Sequence, residues 1–165
     1  MPGLAQLGLV RTKGFSSWLT RVVTQSNWNH IILYEGNDTV ISCDPAGVEE
    51  LPITAFPGAV WSHFPLELQQ TAQIINFARA QLKKPYDQVL YLWCGVAKIF
   101  GVEHTPGWIQ ARLNTQASWI CSQLCDAAYQ AGGIHLFKDH RVEGAVTPAA
   151  FEPIWKANGW LGNLK

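Results

Sequence analysis

Charge is scarce in this sequence, and what there is cancels. Asp, Glu, Lys and Arg make up 15 % of the 165 residues, with twelve basic side chains against twelve acidic ones. Proteins that hold nucleic acid do so with clustered Lys and Arg on phosphates, and no such cluster is present. The expectation is a partner met through shape, apolar contact and a few polar groups, with no nucleic acid involved. Long hydrophobic runs are missing too. The longest, Val89 to Val102, contains Lys98 and falls short of the roughly 20 residues that a membrane-spanning helix needs. Met1 to Val10 has no basic stretch leading into an apolar one, so synthesis in the cytoplasm without a signal peptide is expected. Virion association or delivery to the cell envelope by another route stays open.

Paired C-x-x-C motifs are also lacking. The four cysteines, Cys43, Cys94, Cys121 and Cys125, do not form a disulfide framework for a chain of this size, and they lack zinc-site spacing. No metal and no cofactor is expected; His135 and His140 read as solvated loop residues. Free thiols in a reducing compartment follow, one of them a candidate for reactivity. Repeats, low-complexity tracts and linkers are absent as well. What remains is a chain with 48 % hydrophobic residues, enough for one packed domain over 1–165.

The first half reads as strands. Gln6 to Thr12 alternates apolar and polar residues, and Lys13-Gly14 breaks it. Ser16 or Ser17 caps a short helix striped by Trp18, Leu19, Val22 and Val23. Asn29 to Glu35 and Thr39 to Asp44 flank Gly36-Asn37-Asp38 as a hairpin. Pro45-Ala46-Gly47 turns the chain into Val48 to Leu51, and Ala59 to His63 reads as a further strand. The period then changes. Pro65 suits a first helical position, and Leu68, Ala72, Ile75, Ala78 and Leu82 recur at helical spacing. Lys84-Pro85-Tyr86-Asp87 interrupts, with Asp87 capping a helix over Gln88 to Phe100. Thr105-Pro106-Gly107 is another break. Ile120, Leu124, Ala127 and Ala131 mark a third helix, ended by Gly132-Gly133. The tail from Thr147-Pro148 shows no clear period. Strands first and helices later give an α+β domain.

Cysteine nucleophiles act as thiolates, and a helix N-terminus lowers the thiol pKa through unpaired N–H groups and the dipole. Cys121 falls in the first turn of the third helix, behind Ser118 as candidate cap. It is expected to titrate below the ordinary thiol value, with its N–H free to hold an oxyanion. Cys125, one turn further in, reads as a small core residue. Free cysteine is often buried for packing alone, so position leaves Cys121 open to a structural role. A nucleophile also needs a base. Of His30, His63, His104, His135 and His140, His30 heads a rigid apolar strand and His63 ends another, while the other three sit in loops.

Five segments, in order, carry a resemblance: Leu7-Gly8-Leu9-Val10-Arg11 followed by Ser26-Asn27-Trp28-Asn29-His30-Ile31-Ile32-Leu33-Tyr34; Val40-Ile41-Ser42-Cys43-Asp44-Pro45-Ala46-Gly47-Val48; Lys84-Pro85-Tyr86-Asp87; Trp119-Ile120-Cys121-Ser122-Gln123-Leu124; and Thr147-Pro148-Ala149-Ala150-Phe151. Together, over residues 6 to 155, they resemble circularly permuted NlpC/P60 (papain-like) proteins of the YiiX-like and lecithin:retinol acyltransferase-like branch. The resemblance implies an antiparallel sheet packed against helices, with the His strand ahead of the Cys helix, the reverse of papain. It makes Cys121 the nucleophile and His30 its base. The third polar residue falls on Ser42, which lacks the full charge that would stabilise an imidazolium. Asp44, two residues on and on the same strand face, could supply it. Gln123 stands where many relatives carry Glu and is expected on the helix surface.

The resemblance implies a cysteine hydrolase that cleaves an amide through a thioester, with peptidoglycan stem peptides as the commonest substrate of the broader superfamily. The permuted branch is also associated with lipid acyl transfer and hydrolysis. A chain of this size would suit a phage tail or secreted delivery system, with assembly partners in a larger complex. Trp28 and Trp119, neighbours of His30 and Cys121 in sequence, are the expected walls of a cleft for a peptide or acyl substrate. The other six tryptophans read as core. A non-catalytic assembly protein retaining the fold is the rival from outside enzymology, and Ser42 is the feature that favours it.

Overall fold

The computed structural model describes residues 1–12, 27–90, 93, 106–115, 117–137 and 146–162. The expected helix after Ser16, most of the expected helix over Gln88 to Phe100, Cys94, His104 and His140 lie outside them. Five strands form one antiparallel sheet: β1 (Leu7–Val10), β2 (His30–Gly36), β3 (Thr39–Asp44), β4 (Gly47–Pro52) and β5 (Val60–Trp61), in the order β4-β3-β2-β1-β5. Against it stand α1 (Leu68–Ala80), α2 (Gly107–Thr115), α3 (Cys121–Ala131) and α4 (Pro148–Ala157). The α+β reading therefore holds. No described helix is long and apolar enough to cross a membrane.

Strand alternation divides the apolar residues between two faces. Leu7, Leu9, Ile31, Leu33, Ile41, Cys43 and Val48 pack with Ile74, Ala78, Leu124, Ala128, Phe151 and Trp155 from the helices. Val10, Ile32, Tyr34 and Val40 point the other way. They are covered by the β4–β5 connection, whose single 3-10 turn (Ile53–Ala55) brings Ile53 and Phe56 over the sheet. Both faces being covered explains why every residue of β2 is buried.

Local chemistry sets the ends of α1. Glu67 is its N-cap, in a capping box with Gln70, so the helix begins at Leu68 and Pro65 stays outside it. Ile74, Ile75 and Ala78 form the buried stripe. Leu68, expected on that stripe, is 91 % exposed. The tail expected to lack a period is helical as α4, with Pro148 at its first turn. The stretch after Gly107, left without an element by the sequence, is α2.

Three devices position α3. Asp44 Oδ1 accepts the Ala46 N–H at 2.9 Å in the β3–β4 turn, where Gly47 has φ +119. The Lys84 carbonyl accepts the Val48 N–H at 2.9 Å, and Val48 accepts from the Lys83 N–H at 2.8 Å. Next along the chain, the Pro85 carbonyl accepts the Trp119 N–H at 3.0 Å and the Asp87 N–H donates to the Trp119 carbonyl at 2.8 Å. A strap of residues 83–87 thus joins β4 to the entry of α3. Asp87, buried, locks it: Oδ1 accepts the Leu90 N–H at 2.9 Å as the expected cap, and Oδ2 accepts the Ser118 hydroxyl at 2.6 Å.

A Cβ on Gly47 would lie 2.8 Å from the Lys84 carbonyl oxygen. Gly47→Ala therefore meets strain and a backbone clash at the strap, and should cost more than about 1 kcal/mol in denaturant unfolding. Gly58→Ala also has positive φ but meets nothing within 4 Å, and should cost less.

Candidate active site

Cys121 is the first residue of α3. Its N-cap is Ile120, in extended conformation and with no side-chain cap. Ser118, expected to cap, gives its hydroxyl to Asp87 instead. The first N–H groups of the helix are therefore without a side-chain cap, and the backbone N–H groups of Ser122 and Cys121 act to lower the thiol pKa.

The N–H of Ile31, on β2, acts in the same direction. In β2 the even residues face β1, as Tyr34 N–H does in bonding Gln6 O at 2.9 Å, so odd residues face β3. The β2–β3 ladder runs from Gly36↔Thr39 only to Leu33↔Ile41. Beyond that no further pairs join the two strands, and the N–H of Ile31 lies near enough to Cys121 to lower its thiol pKa. The N-terminus of α3 thus stands at that end of the ladder. Cys43, on β3 beside it, is held at 3.3 Å to the Trp119 carbonyl by its thiol.

His30 borders the same end of the ladder from the other face, the face of Ile32 and Tyr34. Its Nε2 lies 2.9 Å from Ser42 Oγ, and its ring stands 5.7 Å from that of Phe56. The structure thus joins His30 to Ser42, the residue the family resemblance picks out, through Nε2. Among the described residues no hydrogen bond joins the thiol to the imidazole; they flank that end of the ladder from opposite sides. Asp44 does not bond the ring. Its carboxylate is engaged with Ala46, and it acts on both His30 and Cys121 through charge.

Burial dominates the electrostatics. It pushes the His30 imidazole down to about 4, with Asp44 opposing, and the Cys121 thiol up to about 11, against three backbone N–H donors. This corrects the expectation of a lowered thiol pKa: desolvation outweighs the helix terminus. Cys125 is held well above the ordinary thiol value, first by burial, consistent with an inert core thiol.

The remaining candidates separate. Trp119 is 1 % exposed; its ring packs edge-on to Phe77 at 6.0 Å and beneath the Lys84 ammonium at 5.9 Å. It is a core side chain. Trp28 lines an open depression of about 400 Å³ with Asn27, Glu152, Lys156, Gly159, Leu161 and Gly162. Gln123 is buried, with Oε1 unpartnered among the described residues, and does not lie on the helix surface as expected. Sequence reasoning missed the Ser118–Asp87 bond and the Ile31 N–H. Among the described residues no three His, Cys, Asp or Glu side chains are placed to hold a metal.

No protein-family model and no curated protein matches the chain. It is similar in structure to the metalloprotein yiiX from Escherichia coli O157:H7 (DUF1105), with a TM-score of 0.57 at 15 % identity, over 99 % of this chain and 84 % of that one. At that identity the likeness establishes a YiiX-like α+β fold.

Two titrations follow. The neutral His30 of the folded state resists protonation until about pH 4, whereas the unfolded chain takes up that proton near 6.5. Between these values the unfolded state binds more protons. Stability is thus complete above about 6.5 and falls as pH drops toward 4, by up to about 3 kcal/mol. His30→Gln should flatten that part of a denaturant-midpoint profile. Separately, alkylation of Cys121, resolved by mass spectrometry, should rise about tenfold per pH unit through neutral pH and level off only near 11. A plateau below pH 8 would contradict the dominance of burial.

Proposed function

We propose that this chain is a cysteine hydrolase acting through a thioester, with Cys121 as nucleophile and His30 as base. The observation that carries the reading is the placement of Cys121 as first residue of an uncapped helix, beside the end of the β2–β3 ladder where the His30–Ser42 pair lies. Helix-terminal N–H groups suit a developing oxyanion, and a histidine held by a neighbouring strand suits proton transfer. The YiiX-like fold supports a hydrolase in the coarse sense.

With the thiol protonated and the imidazole neutral at rest, the proton leaves sulfur only as attack proceeds. Sulfur adds to the carbonyl carbon, its proton passes to His30 Nδ1, and the N–H groups of Cys121 and Ser122 receive the oxyanion. His30 returns the proton to the leaving amine. Water, deprotonated by the same imidazole, then cleaves the thioester. Ser42 holds the ring angle through Nε2, and Asp44 favours the imidazolium by charge. The structural neighbour is a metalloprotein; among the described residues of this chain no three His, Cys, Asp or Glu side chains are placed to hold a metal.

The substrate we favour is an amide of a peptidoglycan stem peptide, met at Trp28 and the depression beside it, whose rim carries both Lys156 and Glu152. Such an enzyme would serve a phage tail or secreted delivery system. A non-catalytic assembly protein is the second reading, favoured by the burial that keeps Cys121 protonated.

The test is acylation of Cys121, read by mass spectrometry after incubation with stem peptides and, in parallel, with acyl esters and lipid amides. A stem-peptide adduct absent in Cys121→Ala is expected. Because Ser42 touches the ring and Asp44 does not, Ser42→Ala should slow single-turnover acylation more than Asp44→Asn, by about tenfold or more. An adduct with lipid substrates alone would move the chain to acyl transfer. No adduct with any of them, and alkylation indifferent to His30→Gln, would leave the assembly reading.

A further inference from the structure

Ser42 is 1 % exposed and its hydroxyl has one proton to place. It lies 2.9 Å from His30 Nε2. If the hydroxyl donates to Nε2, the neutral imidazole carries its own proton on Nδ1, and Nδ1 cannot take a proton from sulfur. If Nε2–H donates instead, Nδ1 keeps its lone pair, but the Ser42 proton then needs another acceptor. The tautomer of His30 depends on whether that acceptor exists.

Two carboxylates share the face of Ser42. Asp44 is committed to the Ala46 N–H. Glu49 is the direct cross-strand partner of Ser42 in the β3–β4 register, and such pairs place their Cβ atoms about 4.5–5.5 Å apart on one face. The same ladder sets Val40 opposite Leu51 and Cys43 opposite Val48, and those pairs pack on opposite faces of the sheet, which fixes the side on which Glu49 stands. Its side chain is exposed, and among the described residues it has no hydrogen bond or ion pair. A glutamate is long enough to reach a serine hydroxyl across that spacing.

We propose that Glu49 is a positioning residue: its unengaged carboxylate turns in to accept the Ser42 hydroxyl, which makes the Ser42 oxygen an acceptor for His30 Nε2–H and so leaves Nδ1 free to receive the thiol proton. No proton leaves the chain of bonds when the imidazolium forms. Asp44 acts on the same ring through charge, Phe56 gives it an apolar neighbour, and Glu49 acts through Ser42 alone. The use of the free Nδ1 rests on the hydrolase reading; the tautomer itself does not.

The experiment is two-bond 1H–15N correlation of His30 in 15N-histidine-labelled protein at neutral pH, which needs no substrate. Wild type is expected as the Nε2–H tautomer. Glu49→Leu should move the ratio toward Nδ1–H by about tenfold or more, the weight of a hydrogen bond to a charged acceptor, and Glu49→Gln should fall between. In a Ser42→Ala background the residue at 49 should make no difference. Position 49 is exposed, so an unchanged backbone spectrum elsewhere confirms the fold. Nδ1–H in wild type, or a tautomer indifferent to Glu49→Leu, overturns the proposal. A tautomer that responds while Cys121 forms no acyl adduct keeps the relay and removes the hydrolase reading.

Discussion

A β-ladder that stops early leaves backbone groups without partners, and an N–H kept from water must find an acceptor or destabilise the fold. Here the β2–β3 pairing stops at Leu33, and the N-terminus of α3 stands beside the stretch that follows, where the Ile31 N–H lowers the Cys121 thiol pKa. That placement sets the thiol beside the strand that carries His30. The strap of residues 83–87 and the Asp87–Ser118 bond hold the helix entry from behind. The Ser122 hydroxyl, bonded to the Val146 carbonyl, ties it to the segment leading into α4. The position of the sulfur is over-determined by backbone pairing on either side of it.

The same placement explains the electrostatics. An exposed helix terminus would draw a thiol toward its anion; at a buried one the lost hydration counts for more. His30 answers to the same cause in the opposite direction, since burial disfavours the charged form of each. Charge separation between the two would follow the arrival of a substrate that supplies compensating polarity. Asp44 adds a mild asymmetry, steadying a cation on the ring and opposing an anion on the sulfur.

Much of this was legible in the residues. Alternation over Gln6 to Thr12 gave the first strand, and apolar composition with the Gly36-Asn37-Asp38 turn gave the hairpin that follows. Cys121 at a helix start and His30 at a strand start came from order along the chain, and Ser42 one strand over from the family resemblance. Burial did not. Nothing in Ile120-Cys121-Ser122 says that the helix end is buried beside the end of a ladder, so the direction of the thiol shift was misread. Ser118 looks like a cap until Asp87 competes for its hydroxyl, and Trp119 looks like a cleft wall until Phe77 and Lys84 close over it. Leu68 and Ala72 fit a helical stripe by spacing alone; the true stripe follows Ile74, Ile75 and Ala78, where α1 meets the rest of the core.

The strap has one more effect, at the border of the sheet. A free edge is a template for another chain's strand. On the β4 side, the outward groups at Val48 are already engaged by residues 83 and 84, and the strand ends at Pro52, which has no N–H to offer. Between them stand the carboxylates Glu49 and Glu50. On the far side β5 is only two residues long, and the chain turns in at Ser62, whose N–H bonds Leu7 O at 2.8 Å and whose hydroxyl bonds Gln6. Among the described residues both borders are short and partly engaged, which guards the sheet against edge-to-edge stacking when the protein is crowded.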